Sequence, residues 1–204
     1  MGAQPTTMRA CQDAGVSSFL VLDFDGVLNS FFRRGTFPAG MFWPVERTIV
    51  SALMDGVEYA FTLQYAPELV GRLGELCVRA EVQLVWLTSW QEDIRRVETE
   101  LGIRCRRPSI VLTYPRDPYD PQAGKDLGLR TFQDGAAPGA RVAWVDDDYL
   151  APWRGPVDLT VARALPSQRR EDVLVVCPDD RYGLSRAQWQ AVEDWLGGGR
   201  GGTA

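Results

Sequence analysis

The chain has 204 residues, 24% charged and 45% hydrophobic, with a net charge of −5 and a pI near 4.9. That is enough for one sizeable α/β domain and too acidic for a protein that coats nucleic acid generally. Histidine is absent, which removes Ser-His-Asp and Cys-His catalysis, histidine metal ligands and histidine phosphotransfer.

In chain order, residues 1–17 read as a loose arm without the apolar run of a signal peptide, so a cytoplasmic location is expected. Phe19 to Leu22 form an apolar run that ends at once in Asp23, Phe24, Asp25 and Gly26. This predicts a buried strand that delivers carboxylates to its C-terminal edge, where open α/β sheets bind ligands. Alternation places Asp23 and Asp25 on one side, and Gly26 lets the chain turn and a ligand approach the backbone. Residues 29–64 mix Gly and Pro punctuation with an alternating stretch near Val57–Leu63. They are expected to form a compact insertion, a hairpin with a short helical piece, leaning over the strand ends.

Residues 66–80 predict a helix with Pro67 in its first turn and Leu69, Val70, Leu73, Leu76, Cys77 and Ala80 on one face. QLVWLTSW, 83–90, reads as a second buried strand. Ser89 with Glu92 forms an expected capping box for a helix that Gly102 ends. A short strand is expected within 103–112, a proline loop over 113–124 and a helix from Lys125 to Phe132. RVAWVDDD, 141–148, is a further apolar strand running into acids, and DVLVVCPDD, 172–180, a fifth strand. Residues 185–196 form the last helix, capped by Ser185 with Gln188, before a Gly-rich tail at 197–204. Strands alternating with helices give an α/β fold: a doubly wound, Rossmann-like parallel sheet of five strands, with a small insertion after strand 1.

Cys11, Cys77, Cys105 and Cys177 are scattered, with no C-x-x-C pair and no arginine six positions on, so neither a zinc site, a disulfide framework nor a cysteine-phosphatase loop is expected. No run of 18 apolar residues predicts a membrane span, and no G-x-x-x-x-G-K-[ST] loop occurs. Carboxylates are the remaining chemical equipment. Lys125 stands apart because the other 21 positive residues are all arginines. A compact ammonium can sit between a carboxylate and a phosphate where a planar guanidinium cannot easily do so.

Four features therefore stand in order: D-F-D-G-V at 23–27, a strand ending in Thr88, the isolated Lys125, and the acidic strand end Asp146-Asp147-Asp148. This series resembles the haloacid dehalogenase (HAD) superfamily over roughly residues 18–196. WLTSWQ and WVDDD are most similar to a small-cap branch found in phage and actinobacterial proteins, including predicted phosphatase domains of RNA-repair proteins. The resemblance implies phosphate chemistry, since the second Asp of the first motif marks phosphatases and phosphotransferases.

Asp23 would then be the nucleophile that forms an aspartyl phosphate, and Asp25 the acid and later the base. Thr88 and Lys125 would contact phosphate oxygens. Mg²⁺ suits an all-oxygen site, with Asp23, the backbone carbonyl of Asp25, and Asp146 as expected ligands and Asp147 as the substitute. Gly26, Asn29, Ser89, Arg33, Arg34 and Trp43 complete the expected substrate-contacting set. Residues 29–50 carry three arginines against Glu46, a local charge of +2, interleaved with aromatics. This suggests a nucleotide or an oligonucleotide end as the phosphorylated substrate. The alternatives are a catalytically idle module that binds a phosphorylated partner, a phosphatase of other small metabolites, and a receiver domain, whose phosphorylated Asp would lie on a later strand. The oligomeric state is left open.

Overall fold

In a computed structural model the described residues are 16–32, 38, 40–54, 57–114, 121–136, 140–147, 161–163 and 172–197. The expectations for the N-terminal arm up to residue 15, Arg33, Arg34, the loop at 115–120, Asp148 and the tail from residue 198 fall outside them.

The sheet is built on β1 (Ser18–Leu22), whose five residues are all buried. An antiparallel hairpin follows, β2 (Glu46–Met54) and β3 (Val57–Tyr65). Then come α1 (Pro67–Cys77), β4 (Val82–Trp86), a 3₁₀ turn (Gln91–Asp93), α2 (Ile94–Leu101) and β5 (Ile110–Val111). The second half contains α3 (Pro121–Ala136), β6 (Arg141–Val145), β7 (Val161–Arg163), β8 (Val173–Val176) and α4 (Arg186–Gly197). The sheet order is β5-β4-β1-β6-β8-β7. The five expected strands are parallel. A sixth, β7, adds antiparallel at the edge.

Alternation along β1 divides the core. Leu20 and Leu22 face the cluster built with α1, α2 and α4, while Phe19 and Val21 face Leu129 and Phe132 of α3. Helices cover both faces, which is why the central strands are continuous apolar runs. On α1, Pro67 sits in the first turn and Leu69, Val70, Leu73, Leu76 and Cys77 are buried; the helix stops at Cys77, leaving Ala80 exposed beyond it. Gly102 closes α2 in the left-handed conformation, φ 68°. At α4 the capping box forms in both directions: Gln188 N–H donates to Ser185 Oγ at 3.2 Å and Ser185 N–H to Gln188 Oε1 at 3.0 Å.

Two local expectations are corrected. The insertion holds no helical piece among its described residues; it is a hairpin of two nine-residue strands. Its Thr48 and Ser51 bond to Glu100 and Arg96 of α2, and its Leu53 to Asp93 at the end of the 3₁₀ turn. The segment after Thr88 opens as a 3₁₀ turn with Trp90 at its N-cap and no side-chain cap hydrogen bond, in place of a box from Ser89 and Glu92. Among the described residues no helix is long and apolar enough to cross a membrane.

Candidate active site

Asp23 is the first residue past β1, and its N–H still bonds Val145 O at 2.9 Å. Continuing the parity of Phe19 and Val21, its side chain emerges on the α3 side. There Lys125, Leu129 and Phe132 lie at i, i+4 and i+7 on one helix face. Phe132 docks edge-on against Phe19, centroids 5.1 Å apart. One turn earlier on that stripe, Lys125 meets the strand ends. Gly128 permits the approach, since a Cβ there would stand 3.1 Å from Tyr114 Cβ and 3.6 Å from Leu87.

The Lys125 ammonium donates to Asp23 Oδ2 and, at 2.8 Å, to Asp146 Oδ2. Asp23 Oδ1 accepts the Phe24 N–H at 2.6 Å, and the Thr88 hydroxyl stands close enough to pull the Asp23 carboxyl pKa down. Thr88 and Asp146 are fully buried, Asp23 and Lys125 5% exposed. Register explains the convergence: Leu22 pairs with both Trp86 and Val145, so the residues past three adjacent strands share one edge.

Asp147 completes the group. Carboxylate oxygens of Asp23, Asp146 and Asp147 all lie within 4.8 Å of one another. Gly26 leaves room for this: its φ is +69°, and a Cβ there would stand 2.2 Å from Asp147 Cγ and Oδ2. Burial alone would lower the Lys125 pKa, but Asp23 and Asp146 outweigh it and hold the ammonium above its ordinary value. Burial pushes the Asp23 carboxyl up, against the pull of Lys125, the Phe24 N–H and Thr88. Three carboxylates around one ammonium leave an excess of negative charge in a dry place. An all-oxygen donor set with that excess fits a hard divalent cation.

Asp25 stands outside this cluster and half-buried. Asn29 Nδ2 donates to its Oδ1 at 2.7 Å and Trp90 Nε1 to its Oδ2 at 2.8 Å. The structure thus brings together Asp23, Thr88, Lys125, Asp146, Asp147 and Gly26, with Asp25 on its own mount. Asn29, expected to contact substrate, spends its amide within the protein: Nδ2 on Asp25, and Oδ1 accepting the Gln64 N–H at 2.9 Å. Ser89 is exposed beside Thr88.

Trp43 departs from its expected place on substrate. It is 3% exposed, with the guanidinium carbons of Arg186 and Arg72 lying 4.0 and 5.4 Å from its ring centroid. Its arginine partners come from α4 and α1, far away in sequence, so a base cannot stack on that ring. Trp90 is not among the residues that the sequence marks for the site. An indole two positions after Thr88 reads as core, and only its contact with Asp25 shows otherwise.

A parallel sheet whose first strand ends in D-x-D, with a lysine bridging to an acidic fourth-motif strand end, defines a HAD-type hydrolase domain. More particularly, residues 19–189 match the family described as the HAD domain in Swiss Army Knife RNA repair proteins, and the chain belongs to that family. No curated protein and no solved structure matches it significantly.

Proposed function

We propose that the protein is a Mg²⁺-dependent phosphomonoester hydrolase that works through an aspartyl phosphate on Asp23 and takes a nucleotide or nucleic-acid terminal phosphate. One observation carries the chemistry: a buried ammonium held between Asp23 and Asp146, in a cluster with more carboxylate charge than it can balance. Asp23, Asp146 and Asp147 would hold the ion, which when bound supplies positive charge against phosphate oxygens.

Asp23 attacks phosphorus as the bond to the leaving oxygen breaks, and that oxygen takes a proton from Asp25. Asp25, now a carboxylate, takes a proton from water, whose oxygen attacks phosphorus. The Asp23–phosphorus bond breaks, phosphate leaves and Asp25 is protonated again. Lys125 and Thr88 hold the Asp23 carboxylate in place and offer N–H and O–H to phosphate oxygens.

Two observations support the substrate class. The family description refers to RNA repair proteins, and residues 29–50 carry a charge of +2 in an acidic chain. With Trp43 and Phe42 buried, the exposed aromatic of that stretch among the described residues is Phe31, 42% exposed.

The test is phosphate release with Mg²⁺ from p-nitrophenyl phosphate, nucleotides, sugar phosphates and 5′- or 3′-phosphorylated oligonucleotides. Asp23→Asn should cost orders of magnitude in turnover while the circular-dichroism spectrum is kept, and chelation should abolish activity reversibly. Near-wild-type turnover in folded Asp23→Asn sinks the mechanism. A preference for sugar phosphates, or equal losses on p-nitrophenyl phosphate and oligonucleotide when Arg33 and Arg34 are both changed to Ala, removes the nucleotide claim alone. Binding of phosphorylated ligands without turnover would mark an idle module.

A further inference from the structure

Asp25 lies past the end of β1, yet both oxygens of its carboxylate are gripped, by Asn29 Nδ2 at 2.7 Å and Trp90 Nε1 at 2.8 Å. Both donors are tied to one strand of the hairpin. The Asn29 Oδ1 accepts the Gln64 N–H at 2.9 Å, and the Ser30 N–H donates to Gln64 O at 2.8 Å. The Trp90 ring is set edge-on between Phe24, at 5.5 Å and 83°, and Phe61, at 5.0 Å and 62°. Gln64 and Phe61 both belong to β3.

The chemistry of the two donors is specific. An indole N–H and an amide NH₂ donate and cannot accept at those atoms. Neither can therefore take a proton from Asp25, nor relay one away. With one lone-pair direction of each oxygen occupied, the carboxyl can neither spin nor swing, and its proton can leave only through the directions that remain. Trp90 is 7% exposed and Asp25 half-buried, so the indole N–H side of the contact is the dry one.

We propose that Trp90, with Asn29, is a positioning residue for the acid–base Asp25, and that β3 is the template that sets both. This rests on the hydrolase mechanism above, in which Asp25 protonates the leaving oxygen. The hairpin then acts on the proton transfer and not only as a wall beside the site.

The experiment compares two classes of monoester by kcat/KM, which reports phosphorus–oxygen cleavage. An alkyl phosphate leaves poorly and needs the proton, whereas 2,4-dinitrophenyl phosphate leaves as a stable anion. Trp90→Phe keeps a ring between Phe24 and Phe61 but removes the N–H. It should lower kcat/KM by about 10- to 100-fold on the alkyl ester, within the span general acids supply, and far less on the dinitrophenyl ester. KM should change little. Asn29→Ser, too short to reach Asp25, should give the same split if Trp90→Phe does not fold. Equal losses on both esters, or no loss on either, overturn the positioning role while wild-type turnover leaves the hydrolase reading standing. A wild type that releases phosphate from neither ester overturns both.

Discussion

Lys125 shows how much one side chain can be constrained. It is 5% exposed and its Nζ bridges Asp23 and Asp146, a space that fits a compact ammonium. Lys125→Arg keeps the charge but brings a wider planar fork. Turnover of p-nitrophenyl phosphate should fall by about 10²- to 10³-fold, as for loss of a preorganised donor, with the thermal midpoint held within a few degrees. Activity within a few-fold of wild type would show that charge alone suffices there. Asp23 gives the pH dependence. Burial raises its pKa, so the metal-free site holds a proton to higher pH than an ordinary carboxylate does. Mg²⁺ must displace that proton, so its apparent affinity should rise with pH above the ordinary carboxylate range and binding should release protons. Isothermal titration in buffers of different ionisation enthalpy reads both, and a flat affinity above that range contradicts the shift.

At the scale of elements, the parts legible in the sequence are those whose signal is local. Pro67, Gly102 and the Ser185–Gln188 box mark helix ends through contacts only a few residues apart, and each is where the spacing puts it. The D-x-D at the end of an apolar run is local in the same way. Trp43 reads as a substrate contact because its partners, Arg72 and Arg186, are distant in sequence, and the same distance hides the bond from Gln64 to Asn29. Trp90 carries no local signal for the same reason. The hairpin was only half legible because ERTIVSALM alternates weakly, and three-residue β7 has no periodicity to read. The box also supports a graded prediction. Ser185→Ala should cost about 0.5–2 kcal/mol in denaturant unfolding. Gln188→Ala should cost more, because Nε2 also bonds Cys177 O at 3.0 Å just past β8. Equal costs would mean that this second bond contributes nothing.

At the scale of the whole molecule, charge and topology act together. A chain of net charge −5 repels phosphorylated ligands at long range, so capture depends on local cations and on the site's ion. The sheet places its acids by stacking strand ends, and the stack is centred on the strand made first. β1 pairs with β4 on one side and β6 on the other. Its Phe19 to Leu22 are at most 1% exposed once both neighbours are in place. During synthesis those neighbours arrive late. Until residue 145 has left the ribosome, this apolar central strand carries an open hydrogen-bonding edge, a template for pairing with another chain. Chains stalled before residue 141 should therefore associate with holdase chaperones or aggregate, and chains extended through α4 should not. Ribosome-bound fragments of the two lengths, compared by sedimentation, would reveal the difference, and equal solubility would show that β1 is shielded by something other than its two partners.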